Sequence, residues 1–469
     1  MMPPQKIRKL IQDLSHPDAA KRRNAAEELA GGDERGIYPL IRALRDESPG
    51  VQDAAMRSLI SIGGETVAYM VLPLLREDSF LRNTAIIMLR DIGPVSVPLL
   101  YPLLKDKDDD VRKFSIDLLM DIRFDVDPGQ IVPMLRDPNA NVRASAAKAL
   151  GALDFREAIP MLVEVLDDEE WVCFSSLEAL GVLGDEAAVG PIIGLLGSGS
   201  GTIRYAAIET LGRLGFPSAQ HALEQHMLQA EDFEKTAALK SLLQIGIVPA
   251  VPGTLDLLLA MFSGGDWDER FIALRGFAGL KDPRAVKCVI DAGGSLEPSD
   301  PEWEDRLYMI RSSLREFATC EALVETLTDP SIRYRGRVIA IELIGDLRCA
   351  AAVPRLIKCI EVDVRDVRRA SIRALADIRD EESKSALLDA VDDYDSHVRK
   401  AAVGALGKIA DPEAFAPILG MLGTERYQDV LEEAMRALLE IDRDALVARM
   451  AGFDERLRLI ADRCLQVSS

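Results

Sequence analysis

Histidines and cysteines are the residues of this chain whose chemistry would support catalysis or metal binding, and their spacing argues against both. Only His221 and His226 are close in sequence. A spacing of five residues places them about 140° apart around a helix, which is unfavourable for a shared metal ion. The cysteines form no C-x-x-C pair, and neither a glycine-rich phosphate loop nor a nucleophile elbow occurs. The sequence therefore predicts a protein that is not an enzyme, with no catalytic residue, metal ligand or cofactor.

Basic side chains form a second pattern, because they recur about every 30 residues along most of the chain. The members of this basic column are Arg22, Arg82, Arg112, Arg143, Arg204, Lys235, Arg270, Arg337, Arg368, Arg399 and Arg458. A row of exposed cations would bind an extended phosphate chain. Alternatively, each cation pairs with an acid about six residues earlier, such as Asp106, Asp137 or Asp393. We favour the second role, because the column flanks an apolar helix face.

That apolar face belongs to a repeated amphipathic helix, best seen at residues 141–153. With Val142 as position zero, Ala146 at plus four, Leu150 at plus eight and Leu153 at plus eleven share one side of the helix. Position zero recurs in steps of about 30 residues, and plus four is nearly always small, which lets two helices approach closely. The sequence therefore predicts an array of helical repeats.

A shorter helix precedes each of these helices. Ile159, Leu162, Val163 and Leu166 follow the i, i+3, i+4, i+7 pattern of one such first helix. Aspartates at plus thirteen are placed to cap the first helices, namely Asp185, Asp282, Asp380 and Asp411. The predicted fold class is all-α: an α-solenoid, a right-handed superhelix of about 14 helix–turn–helix repeats.

The run Ala158–Leu162, followed by Leu166–Asp168, Val172 and Leu180–Asp185, resembles the short HEAT-like repeat of bacterial scaffold proteins and phycobilin lyases. The run Val398–Gly407 resembles it too, and the likeness extends over essentially the whole chain. One enzyme of the HEAT-like class, deoxyhypusine hydroxylase, uses His-Glu dipeptides as iron ligands. No His-Glu occurs in this chain. The resemblance therefore implies the fold, and it does not imply that activity.

The repeat spacing becomes irregular between Gly246 and Pro330, where residues 291–301 form a stretch typical of a loop. We therefore predict three segments: residues 1–247, an N-terminal HEAT-like array with its cap; residues 248–330, irregular central repeats with longer loops; and residues 331–469, a C-terminal array with its cap.

The candidate binding residues lie at plus two, which points away from the core face. This column is aromatic or apolar in the middle of the chain, at Phe174, Tyr205, Phe271, Tyr308 and Val338. Plus six lies on the same outer face and is charged at Glu178, Glu209, Lys240 and Arg275. The tryptophans fall near the starts of second helices in the same region, at Trp171, Trp267 and Trp303. In a solenoid of this class the second helices would line a concave groove, where exposed aromatic rings flanked by charges favour a bound peptide or helix. The alternative is that curvature buries these rings between repeats.

Charge and cysteine usage limit the partners and the compartment. A net charge of -21 disfavours binding to nucleic acid or to an anionic membrane. A local exception is the cationic run from Arg333 to Arg373, which would receive an acidic partner or, with its interspersed acids, form a mixed solvated surface.

The scattered cysteines predict reduced thiols. No apolar run approaches the roughly 18 residues of a membrane span. We therefore expect a cytoplasmic protein.

Together these patterns predict a non-catalytic scaffold or adaptor that holds a protein or peptide in the groove of its middle repeats, within a bacterial signalling or assembly complex. The alternative rests on the resemblance alone. It is a bilin lyase-like protein that acts on tetrapyrrole attachment.

Overall fold

The computed structural model describes residues 2–467, without the side chains of Val362 and Val467. Two compact units, Met1–Pro249 and Ala250–Ser469, make up the chain. The boundary lies close to the end of the first predicted segment at residue 247. Within the second unit the helix at Arg284–Gly294 packs on the helix at Tyr334–Asp346, across the second predicted boundary at 330. The division into three segments stays a prediction.

Each unit is an α-solenoid of paired helices. The helices of unit 1 are α1 (Pro4–Asp13), α2 (Ala19–Leu29), α3 (Ile37–Ala43), α4 (Pro49–Ile62), α5 (Gly64–Val71), α6 (Ser79–Ile92), α7 (Val97–Leu100), α8 (Asp109–Ile122), α9 (Ala140–Ala152), α10 (Ile159–Glu164), α11 (Glu170–Leu183), α12 (Val189–Gly194), α13 (Gly201–Leu214), α14 (Gln220–Gln229) and α15 (Asp232–Ile245). Those of unit 2 are α16 (Thr254–Gly264), α17 (Trp267–Leu280), α18 (Arg284–Gly294), α19 (Trp303–Phe317), α20 (Cys320–Thr328), α21 (Tyr334–Asp346), α22 (Val353–Val362), α23 (Arg365–Ile378), α24 (Lys384–Asp389), α25 (Ser396–Ile409), α26 (Phe415–Met421), α27 (Gln428–Arg449) and α28 (Glu455–Val467).

Several first helices are short because one or two of their turns are 3-10 rather than α. These 3-10 segments are Glu34–Gly36, Leu72–Arg76, Gly93–Ser96, Tyr101–Lys105, Pro128–Gln130, Val132–Arg136, Arg156–Ala158, Val165–Asp167, Glu186–Ala188, Leu195–Gly197, Pro217–Ala219, Ala350–Ala352, Glu381–Ser383, Ala390–Asp392, Pro412–Ala414 and Met450–Gly452. The predicted aspartate caps are confirmed: the carboxylates of Asp185, Asp282, Asp380 and Asp411 each accept a backbone N–H two residues on, at 2.8 to 3.0 Å.

The core follows the predicted register. Val142, Ala146 and Leu150 of α9 are fully buried, and α9 packs along α11. The two backbones come very close at Gly151, where an added Cβ atom would lie 2.7 Å from Ala179 Cα. Gly407 makes the same approach to Ala437 at the contact between α25 and α27. Glycine nine residues after position zero is therefore a packing requirement, which the apolar pattern did not reveal.

Two sequence-based expectations are wrong. The predicted loop at 291–301 begins later, because α18 continues to Gly294. Its last turn is buried against neighbouring helices, and this packing overrides the turn-forming residue types. The cysteines are not all reduced thiols, since Cys320 and Cys349 form a disulfide across 29 residues. That separation is close to one repeat period, and the two cysteines lie near the starts of the first helices of adjacent repeats.

Residues 79–105 are long and apolar enough to cross a membrane by length and composition alone, contrary to the expectation that no apolar run reaches this length. This stretch is not one continuous α-helix, because α6 ends at Ile92 and Gly93 has φ +78°. Leu81, Leu89 and Val97 are buried within unit 1. The apolar side chains of this stretch thus contribute to the core between paired helices.

Candidate partner-binding surfaces

Most of the basic column forms an internal ladder in which a guanidinium bridges two repeats, whereas the polar contacts of Lys235, Arg270 and Arg458 stay within their own repeat. Arg112 at the start of α8 donates from Nε and Nη2 to the two carboxylate oxygens of Asp137, at 2.7 and 2.8 Å. Its Nη1 donates to the backbone carbonyl of Asp106 at 2.9 Å. The same arrangement recurs at Arg22, Arg143, Arg368 and Arg399, whose carboxylate partners are Asp46, Asp168, Asp393 and Glu425.

The predicted pairing is therefore corrected in its geometry. The acid six residues earlier, as in Asp106 and Arg112, offers its backbone carbonyl, and the carboxylate comes from the following repeat about 25 residues later. Burial works against the charged form of Asp137, but the hydrogen bonds from Arg112 and from the Asn139 N–H outweigh it and hold the pKa of Asp137 below its ordinary value. Guanidinium groups that donate their hydrogen bonds to carboxylates and backbone carbonyls of the array have a structural role, and they do not form a phosphate-binding row.

In unit 1 the predicted aromatic residues lie on successive second helices. Trp171 and Phe174, three residues apart on α11, are 51% and 40% exposed. Tyr205 on α13 is half-buried and stacks on Phe233 of α15, with ring centroids 4.9 Å apart and planes 16° from parallel. We call Trp171, Phe174, Tyr205 and Phe233 the aromatic face.

Phe233 was missed by the sequence reasoning, although it is 69% exposed. It stands one residue before position zero, as Trp171 does, and a residue there shares its helix side with plus two. A search of that second column would have found it. Of the predicted charged residues in this unit, Glu178 and Glu209 are exposed and Lys240 is half-buried.

In unit 2 two of the predicted aromatic residues contact other side chains of the same unit. Trp267, the first residue of α17, lies beneath the guanidinium groups of Arg270 and Arg306, at 5.1 and 4.7 Å from the ring centroid. Phe271 contacts the Trp267 ring at 5.6 Å. Both rings are half-buried, and they favour the alternative of burial within the array. Tyr308 on α19 is instead 69% exposed, and Arg275 is exposed on α17.

Trp303 and Val338 come together in a cavity of about 440 Å³ in unit 2. Its apolar wall also includes Leu296, Leu307 and Ile339. Its charged lining contains four arginines and two acids, namely Arg311, Arg335, Arg369, Arg373, Glu342 and Asp366. We call it the arginine cavity.

The charges of the arginine cavity are only partly matched. Arg311 pairs with Glu342, and Arg369 lies 3.6 Å from Asp366. Burial raises the pKa of Glu342. The Nε–H groups of Arg311 and Arg369 are buried without an acceptor among the described residues. A neighbouring cavity of about 460 Å³ shares Arg369 and Arg373 and is otherwise lined mainly by charged and small residues of α23, α25 and α27.

Within residues 2–467, no group of three histidine, cysteine or acidic side chains is arranged to hold a metal ion. Burial raises the pKa of the Cys173 thiol to about 11, so the group is protonated and poorly nucleophilic at neutral pH.

Comparison with known proteins gives two kinds of relative. The chain is 28% identical over 153 residues to a bilin biosynthesis protein, PecE, of Mastigocladus laminosus, a match that covers 32% of this chain and 56% of PecE. The chain thus spans little more than half the length of that relative. Among solved structures it is similar to Kap95p, from a study of its binding to RanGDP, with a TM-score of 0.51 and 13% identity over 96% of this chain and 75% of the other. An importin beta structure has a TM-score of 0.43 at 14% identity, over 93% of this chain and 74% of the other.

A family model assigns the repeats themselves. The model for HEAT repeats matches residues 7–90, 130–174, 174–243, 320–393 and 363–439. These segments include ladder arginines from both units, such as Arg22, Arg143 and Arg399, and they cover more than half of the chain. The paired helices, the stacked second helices and this match together show that the chain belongs to the HEAT-repeat family.

Proposed function

We propose that the protein is a non-catalytic scaffold that holds a protein or peptide partner against the aromatic face of unit 1. The observation that carries this proposal is the presence of Trp171, Phe174 and Phe233 as exposed rings on one run of second helices. Large exposed aromatic side chains tend to mark interaction sites, and tryptophan is among the residues most enriched in binding hot spots.

The neighbouring charges suit such a role. Glu178 and Glu209 are exposed four residues after Phe174 and Tyr205, on the same helix side. Polar groups around a few apolar anchors are the usual layout of a protein interface. A repeat array also presents its surface on rigid helices, so a partner would meet side chains that are already in place.

Removal of the exposed rings tests the proposal. We expect the triple substitution Trp171→Ala, Phe174→Ala and Phe233→Ala to abolish capture of partner proteins from the native cell, as identified by mass spectrometry. The thermal unfolding curve should change little, because these rings are exposed in the free protein.

The matched control is the double substitution Tyr38→Ala and Tyr69→Ala, which removes exposed rings from the first helices α3 and α5 of the same unit. This control should recover the same proteins as the unaltered chain. Equal recovery by the triple variant would contradict the proposal, and a large loss of stability in that variant would show that the rings belong to the core.

The similarity to PecE favours a second candidate function, a bilin lyase-like role in tetrapyrrole attachment. The support for this candidate is the sequence identity over about a third of the chain. The aromatic face does not contribute to it. Addition of phycocyanobilin followed by visible absorption spectroscopy separates the two candidates. A bathochromic change or transfer to an acceptor protein would favour the lyase-like role.

A further inference from the structure

We infer that the arginine cavity of unit 2 binds an acidic peptide segment of a partner, with one large apolar side chain inside the cavity and a carboxylate against Arg369 and Arg373. This site is separate from the aromatic face, and its test is independent of the function proposed above.

The shape and lining of the cavity suit an apolar anchor. A volume of about 440 Å³ falls in the range of ligand-binding pockets. The wall formed by Trp303, Leu307 and Val338 offers an indole ring and two aliphatic side chains for contact. The parts of these side chains that line the cavity would lose contact with water when an apolar group enters, which favours binding.

The charge of the cavity selects an acidic occupant. Four guanidinium groups face two carboxylates, in a chain whose net charge is -21. Arg373 interacts electrostatically with Glu342 but makes no direct ion pair with it among the described residues, and the buried Nε–H of Arg369 has no acceptor there. A carboxylate would give both arginines an acceptor in a charge-assisted hydrogen bond.

The neighbouring cavity favours an extended peptide over a compact anion. Arg369 and Arg373 line both cavities. The arginine cavity therefore continues into the neighbouring, more polar cavity of about 460 Å³ beside α25. Packed helices lie about 8–10 Å apart, and an extended chain advances about 3.3 Å per residue. A segment that runs from α21 past α23 to α25 crosses two such spacings, and it therefore needs about five or six residues. Lys400 and Glu433 line the second cavity and pair with Asp429 and Arg436, and the remaining hydrogen-bonding capacity of each would serve the peptide backbone.

The experiment begins with selection from a random dodecapeptide phage library on the full chain. We expect enrichment of sequences that combine acidic residues with one or two large apolar residues. The most enriched sequence is then synthesised with a fluorescein label, and its Kd is measured by fluorescence anisotropy. Arg373→Glu should weaken binding at least tenfold, because it replaces an attraction by a repulsion. Val338→Trp should do so by filling the cavity.

The matched control is Lys358→Glu, the same change of charge at an exposed position on the first helix α22 of the same unit. It should leave the Kd within twofold of the original. The triple variant of the aromatic face should also bind the peptide normally, so that failure here is distinguishable from failure of the proposed function.

Several outcomes would overturn the inference. Selection that enriches no sequence, or that enriches basic sequences, would do so. So would a peptide that binds the Arg373→Glu variant as tightly as the unaltered chain, provided that circular dichroism shows the variant to be folded. Binding of the aromatic anion anilinonaphthalene sulfonate, without binding of any acidic peptide, would assign the cavity to a small organic anion and overturn the peptide assignment.

Discussion

At the scale of single residues, the ladder arginines should be critical for stability. Arg112→Ala leaves the buried carboxylate of Asp137 without its main partner. Because an unpaired buried charge is costly, we expect the free energy of unfolding to fall by about 3–5 kcal/mol. Urea denaturation followed by circular dichroism measures this difference.

Arg136→Ala is the matched control, since it removes an arginine that pairs with Glu164 in the same region while both side chains remain exposed. Solvent screens such a pair, so its loss should change the unfolding curve little. Similar losses in the two variants would show that the ladder contributes no more than a surface ion pair.

The ladder also shows what could be predicted from the sequence at this scale. The recurrence of arginine and its structural role were predictable from position on the helix. The carboxylate partner was not, because Arg112 has candidate acids both in its own repeat, such as Asp106, and in the next, such as Asp137. Only the packed distance between repeats decides which of these carboxylates the guanidinium reaches.

The aromatic residues illustrate the same limit. The column at plus two correctly contains exposed rings at Phe174 and Tyr308. The partial cover of Phe271 comes from Trp267, a side chain outside that column. The exposure of a ring therefore depends on side chains of other positions and other helices, which a single column of the repeat does not contain.

At the scale of helices, close packing at glycine should outweigh helix propensity. Alanine is ordinarily the better helix former by about 0.5–1 kcal/mol. At Gly151, however, the new Cβ would lie 2.7 Å from Ala179 Cα and 2.8 Å from Ala179 Cβ, so α9 and α11 would have to separate. We expect Gly151→Ala to lower the free energy of unfolding by about 1–3 kcal/mol, measured by denaturant titration.

Gly190→Ala supplies the control, because nothing lies within 4 Å of the added Cβ on α12 of the same unit. That substitution should be neutral or slightly stabilising. A stabilising effect at Gly151 as well would mean that the helices adjust freely, and the contact between α9 and α11 would not set the spacing of the repeats.

At the scale of the whole chain, composition and local structure give different information. The net charge of -21 describes the average surface, yet unit 2 contains a cavity lined by four arginines. The cationic run was visible in the sequence between Arg333 and Arg373. Its concentration in one cavity with Trp303 and Val338 was not, because the lining comes from α18, α19, α21 and α23 and from the segment after α18.

The two units should fold independently when they are separated after Pro249. Each repeat is stabilised mainly by its neighbours, and the chain divides into two compact units at this position. We expect fragments 1–249 and 250–469 each to retain helical circular dichroism and a cooperative thermal transition.

The control is a cut after Ala146, in the middle of α9, which separates Val142 from Leu150 on the same buried face. Fragments from that cut should lose helical signal and aggregate, because they expose the apolar residues that α9 and α11 bury together. A non-cooperative transition in either of the first two fragments would show that its repeats need the other unit to fold.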